Sequence, residues 1–232
     1  MLNSLLLQIN VAEAAEAVAE QTPLEVQISI WELLVGGGWY IMIPLGILSI
    51  AAVYIFIERF IAIRKVEKVD PTFMNNIKDF IYDGKIDSAK SLCSETTSPF
   101  ARMIEKGILR IGKPLGDISA AVENVGKLEL YKLEKNLSSL ATIAGAAPMI
   151  GFLGTVMGMI NTFHQMYTAG NSVEIDQLSG GIMQAMVTTA AGLVIGIIAY
   201  VGYNVLVAKV EKVVYKMEAT TIGFMDLLQE PA

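Results

Sequence analysis

Residues 136–208 read NLSSLATIAGAAPMIGFLGTVMGMINTFHQMYTAGNSVEIDQLSGGIMQAMVTTAAGLVIGIIAYVGYNVLVA, with no Lys or Arg and with Glu174 and Asp176 as the only formal charges. A helix crosses the hydrocarbon core of a bilayer in about 20 apolar residues. The block is therefore too long for one crossing and suits a hairpin of two. Ala169-Gly170-Asn171-Ser172, just before the two acids, supplies the residues of a turn. The spacing predicts spans near 138–167 and 177–208. Each corresponds to about 45 Å of helix, against a core of about 30 Å, so both helices are expected to continue beyond the lipid.

Outward from this block, the rest of the chain shows the same segregation. All 17 basic residues lie at Arg59–Lys135 or at Lys209, Lys212 and Lys216. Leu33 to Ile57 is a further uncharged run and makes a first span. A chain that is 53% hydrophobic and 17% charged is too apolar for an ordinary soluble domain of 232 residues. A net charge of −6 offers no basic patch for nucleic acid. A single Cys and a single His leave no disulfide framework, no Cys-based zinc site and few routes to catalysis, and no cofactor is expected.

The positive-inside rule puts the basic segments in the cytoplasm and the base-free, Glu-rich N-terminal segment outside. Trp31, Trp39, Tyr40 and Tyr167 fall where interfacial aromatics belong. The chain thus divides into an outer amphipathic segment (1–32), a first span (33–63), a cytoplasmic helical region (64–136), a transmembrane hairpin (137–208) and a cytoplasmic tail (209–232). Met1–Val11 lacks the basic n-region of a signal peptide, and the Ala/Glu stretch at 12–20 reads as a surface helix, with a cleaved leader as the alternative. The fold class is all-α: three spans whose long helices extend into a cytoplasmic bundle.

Within the basic region, Asp70-Pro71 and Ser98-Pro99 open helices with a capping side chain and a proline at the first position. These helices are predicted to run to Tyr82 and to Ile111, with a break at Asp83-Gly84 and a short helix at Ile86–Cys93 between them. After a loop at Gly112–Gly116, Asp117 is expected to cap one helix of about 50 residues reaching Tyr167, since Ile118, Val122, Val125, Leu128, Leu133, Leu137 and Leu140 keep helical spacing. Cys93 reads as a small buried apolar side chain. Glu58-Arg59, at the end of the first span, reads as an interface ion pair or as snorkelling side chains.

The hairpin spans carry stripes of small residues. Gly151, Gly154 and Gly158 in one, and Gly181, Gly192 and Gly196 in the other, recur at helical spacing, which lets two backbones approach closely in lipid. Thr155 and Thr189, with Thr188 and Gln184 nearby, are set into the stripes at similar depths. Such threonines either bond back to their own helix carbonyls or offer hydroxyls to an ion path. No Asp, Glu, Lys or Arg lies in the core of any span, so an ion path here would have to borrow its titrating group. His164, at the rim, suits an interfacial or packing role.

Residues 141–160 (ATIAGAAPMIGFLGTVMGMI) resemble the "ATI…APxxGLxGTVxGM" signature of the MotA/TolQ/ExbB proton-channel family, ExbB/TolQ branch. Gly180-Gly181-Ile182-Met183-Gln184-Ala185, followed by Thr188-Thr189-Ala190-Ala191-Gly192-Leu193, resembles the "GI.EAL..TA.GL" motif of the last span. Asp83-Gly84-Lys85 and Glu58-Arg59 are similar to family habits, and the resemblance covers about residues 35–220. It implies a pentameric inner-membrane channel subunit surrounding helices of an ExbD/TolR-type single-span partner, whose membrane aspartate carries the proton. Proton flow would then energise a TonB- or TolA-type protein. By motif position the family's pore threonines fall on Thr155 and Thr189. Where the family often has glutamate, this chain has Gln184, which leaves the partner's aspartate as the proton carrier. A MotA-like stator is disfavoured by three spans in place of four. A passive membrane scaffold and, last, an enzyme are the readings from other classes.

Overall fold

The computed structural model describes residues 38–67, 71–169 and 175–229. The N-terminal amphipathic segment, Trp31, the Asp70 cap and the turn at 170–174 lie outside them. The described residues contain helices and short connections and no strand. Seven helices follow in order: α1 Trp39–Glu67, α2 Pro71–Tyr82, α3 Ile86–Glu95, α4 Pro99–Ile108, α5 Leu115–Glu134, α6 Leu137–Ala169 and α7 Ile175–Gln229.

Three helical runs among the described residues are long and apolar enough to cross a membrane: α1, α5 with α6, and α7. Their apolar residues are distributed all round the helix, as lipid demands on every side a partner does not cover. Ile47, Ile50, Phe152, Ile160, Val194 and Ile197 are accordingly exposed. With no water in hydrocarbon, the backbone must satisfy its own hydrogen bonds, which an uninterrupted helix does. The chain is a multi-pass membrane protein.

α7 differs from the predicted partition. It is one helix of 55 residues, about 80 Å long, so residues 209–229 are not a tail but the continuation of the third span. Val210, Val213, Met217 and Phe224 bury one face of that continuation against the extramembrane bundle, giving it the tertiary support an isolated tail lacks. Its bases fasten it to the end of α1. Lys212 Nζ lies 2.6 Å from a Glu67 carboxylate oxygen and Lys209 Nζ 3.7 Å from the other, while Lys216 donates to the Glu67 carbonyl at 3.1 Å. Lys209 also sits 4.9 Å above the Phe60 ring.

α2 to α5 and the end of α7 form this bundle around Ile77, Cys93, Phe100, Ile104, Val122 and Phe224. Ser98 caps α4 by accepting from Ala101 N–H at 3.1 Å, with Pro99 in the first turn. α4 ends at Ile108 and not at Ile111. Asp117 is no cap: Pro114 holds that position, the helix opens at Leu115, and the Asp117 carboxylate lies in the first turn. Gly84, at φ +67, makes the break between α2 and α3.

The helix expected to run unbroken from Asp117 to Tyr167 is interrupted at Lys135-Asn136, where Asn136 adopts φ +64. Periodicity hides the interruption because Leu133, Leu137 and Leu140 are buried on both sides of it.

Candidate functional site

α6 and α7 meet along a seam lined mainly by Gly, Ala and Thr. A Cβ on Gly192 would lie 2.6 Å from the Ala147 carbonyl oxygen and 2.9 Å from Gly151 Cα. One on Gly151 would lie 2.8 Å from the Thr188 carbonyl oxygen. Gly158 faces Ala185, Gly181 faces Thr162, Gly154 faces the Thr188 side chain, and Gly196 leaves room for the Pro148 ring at 2.5 Å. Gly151 and Gly192 therefore lie at backbone-to-backbone approach and the other four stripe glycines make room for a facing side chain, the close packing that replaces a hydrophobic driving force between helices in lipid.

The threonines are tied to this seam. Thr189 Oγ1 donates across it to the Gly151 carbonyl at 3.0 Å. In α-helical geometry that carbonyl also accepts the N–H of Thr155, four residues on. Thr155 and Thr189 are thus at one level, connected through a single oxygen. Thr155 Oγ1 itself donates to the Phe152 carbonyl at 2.6 Å and is partly exposed. A hydroxyl that spends its proton on its own helix keeps its lone pairs for an incoming donor. Thr188 is buried, donating to the Ala185 carbonyl at 2.7 Å within its own helix, with the Gly151 carbonyl at 3.5 Å. It packs the seam and does not line a surface. Gln184 lies one turn away with its amide nitrogen against Gly38, at the start of α1, where a Cβ would come within 2.5 Å of it. His164 is exposed beyond the level of the seam contacts.

Sequence reasoning missed two polar positions, Thr162 and Glu129. Thr162 is buried and bonds back to the Gly158 carbonyl at 2.9 Å; its facing Gly181 was the available signal. Glu129 is 5% exposed on α5 and takes Arg102 Nη1 at 3.0 Å and Lys132 Nζ at 2.6 Å. Burial pushes its carboxyl up, but the hydrogen bonds and charges of Lys132 and Arg102 outweigh that and hold it below the usual carboxylate range. Arg59 is buried about two turns before the end of α1, paired with Glu58, and its Nη1 reaches the Lys132 carbonyl at 3.1 Å. The ion-pair reading of Glu58-Arg59 describes it, and snorkelling does not. Cys93 is buried in the bundle core, and burial with the nearby Glu105 carboxylate pushes its thiol up to about 12. Among the described residues no group of acids, His and Cys is placed to hold a metal.

Residues 95–219, more than half of the chain, match the model of the MotA/TolQ/ExbB proton channel family. The biopolymer transport protein ExbB of Aquifex aeolicus is 39% identical over 103 residues, covering 44% of this chain and 69% of that protein. The Tol-Pal system protein TolQ of Pseudomonas aeruginosa is 32% identical over 109 residues, 44% of this chain and 47% of that protein. The biopolymer transport protein exbB1 of Vibrio cholerae is 33% identical over 100 residues, 43% of each chain. Across the curated relatives compared, the share of their length that the chain covers runs from 35% to 80%. The matched region holds the whole glycine seam and both of its bonded threonines, and the chain belongs to the MotA/TolQ/ExbB proton channel family.

Proposed function

We propose that the chain is the channel-forming subunit of an ExbB–ExbD-type motor in a bacterial inner membrane, where it uses the proton motive force to energise TonB-dependent transport across the outer membrane. Its N-terminus lies in the periplasm and the bundle with the C-terminus in the cytoplasm. Copies of the chain, five by family resemblance, surround helices of an ExbD/TolR-type single-span partner. The carrying observation is the seam. It brings the Thr189 hydroxyl to the Gly151 carbonyl, which the Thr155 N–H shares in helical geometry, within spans whose cores hold no Asp, Glu, Lys or Arg. A protonated carboxylic acid from the partner is the complementary group: it donates where Thr155 accepts, and the chain supplies no competing charge. Gln184, neutral and turned to the start of α1, is a lining residue without a titrating role.

A TolQ-like unit for envelope maintenance or motility is supported by the similarity to TolQ. The single-span protein and the energised protein that co-purify with the chain decide between them. Function is tested by reconstituting the chain with its co-expressed single-span partner in proteoliposomes and following proton flux with an internal pH dye. Thr155→Val and Thr189→Val are expected to abolish flux with the oligomer intact, and Thr189→Ser to retain it. Full flux in both valine variants would remove the proton path and leave a passive scaffold.

A further inference from the structure

Between α5 and α6 the backbone leaves helical geometry for two residues, at the boundary between the bundle and the second span. Lys135 has φ −50 and ψ 135, and Asn136 follows at φ +64. That is the opening of a type II turn, made without Gly or Pro by the residue type that enters the left-handed region most readily after glycine. The Asn136 carbonyl then accepts Leu140 N–H at 3.2 Å and starts α6.

Two residues of α1 close on this break. Arg59 Nη1 donates to the carbonyl of Lys132 at 3.1 Å, one of the acceptors that the end of α5 leaves without an intrahelical partner. Arg59 Nη2 donates to Glu58 Oε1, and Asn136 Nδ2 approaches Glu58 Oε2 at 3.5 Å. One carboxylate therefore joins the buried arginine to the turn residue itself. The contact is not fully satisfied: Arg59 Nε is buried with no partner among the described residues. Opening would return that donor to water and recover its desolvation cost. On one side of the break the packing is open. A cavity of about 540 Å³ is lined by Tyr131, Lys135, Asn136, Ser138, Ser139 and Tyr203.

We propose that Lys135-Asn136 is a hinge and Glu58-Arg59 its latch, so that α1 sets the angle at which α6 carries the bundle. The hinge is inferred from the fold; its use, coupling movement at the seam to the bundle, rests on the proton-channel reading.

The test reads geometry and not flux. Asn124 and Thr142, both exposed and on either side of the break, are replaced by cysteine in the full chain carrying Cys93→Ala. They are spin-labelled in nanodiscs with unlabelled chain in excess, so that pulsed dipolar spectroscopy reads intrachain distances. A straight helix would separate the two backbone positions by about 27 Å. The latched chain should give one distribution, shifted from that of a straight helix. Arg59→Met and Glu58→Gln should each broaden it, and Asn136→Ala, which disfavours the left-handed conformation, should move it toward the straight-helix value. Asn136→Gly keeps the turn but loses the Nδ2 contact to Glu58, so its distribution should stay shifted from the straight-helix value while broadening. Loss of flux in the valine variants with these shifts absent would spare the channel and remove the hinge. Unchanged distributions in Arg59→Met, Glu58→Gln and Asn136→Ala overturn it, as does a wild-type distribution already at the straight-helix value.

Discussion

Adding a methyl group to the seam separates what holds α6 and α7 together from what the contact is for. In Gly192→Ala the new Cβ would lie 2.6 Å from the Ala147 carbonyl oxygen and 2.9 Å from Gly151 Cα, and in Gly151→Ala 2.8 Å from the Thr188 carbonyl oxygen. Ordinary contact begins near 3.4 Å, so the helices must part by about 0.8 Å and about 0.6 Å respectively. The obstacles are backbone atoms, which cannot rotate aside as a side chain does. Overpacking of this kind costs about 1–3 kcal/mol, of which about 1 kcal/mol returns through the better helix propensity of alanine. A net loss of about 0–2 kcal/mol corresponds to at most roughly 8 °C in the unfolding midpoint of a chain this size, so both variants should fold and insert. The Thr189–Gly151 bond is the sensitive part. Stretched from 3.0 Å by about half an ångström, it passes out of hydrogen-bond range. Proton flux in proteoliposomes should therefore fall at least about tenfold in Gly151→Ala and further in Gly192→Ala, a loss of about 1.4 kcal/mol or more in the conducting geometry. Gly145→Ala, with nothing within 4 Å of the new Cβ, serves as the control and should keep wild-type flux with a midpoint at or above that of wild type. Wild-type flux and midpoint in Gly192→Ala would refute the idea that the seam is closed backbone to backbone.

Two further expectations concern the bundle. With its thiol pushed up to about 12, Cys93 should hold only about one part in ten thousand as thiolate at pH 8, so maleimide labelling of the folded chain should be negligible and should complete after denaturation in SDS. Glu129, whose folded pKa is lowered, stabilises the bundle above the unfolded carboxylate pKa, and that contribution disappears as pH falls through the lower folded value. Glu129→Gln should cost about 1–2 kcal/mol at pH 7, less than a wholly buried pair because Arg102 and Lys132 are half exposed, and the difference in thermal midpoint should vanish in acid.

Much of the fold was legible because membrane insertion is a matter of composition. The three spans could be read from empty stretches in the distribution of Lys and Arg, since a charge in hydrocarbon is costly wherever it sits along the helix. The glycine stripes were legible as stripes. Which of them meet backbone, as Gly151 and Gly192 do, and which meet a side chain, as Gly154 and Gly181 do, was not, because spacing does not name the facing atom. Asn136 gave almost no warning either: one Asn between leucines at helical spacing is ordinarily a helix residue, and here it turns at φ +64 with its side chain toward Glu58 of α1.

The sequence by itself determined the number of spans, the helical class and the family, because hydropathy, charge placement and short motifs are properties of segments. Tertiary structure alone decided that the last bases clasp Glu67, that Thr188 is packed while Thr189 bonds across the seam, and that Arg59 is buried on the end of α5. Those outcomes depend mainly on which groups far apart in the chain come within hydrogen-bond reach, and a one-dimensional pattern carries no distance between them.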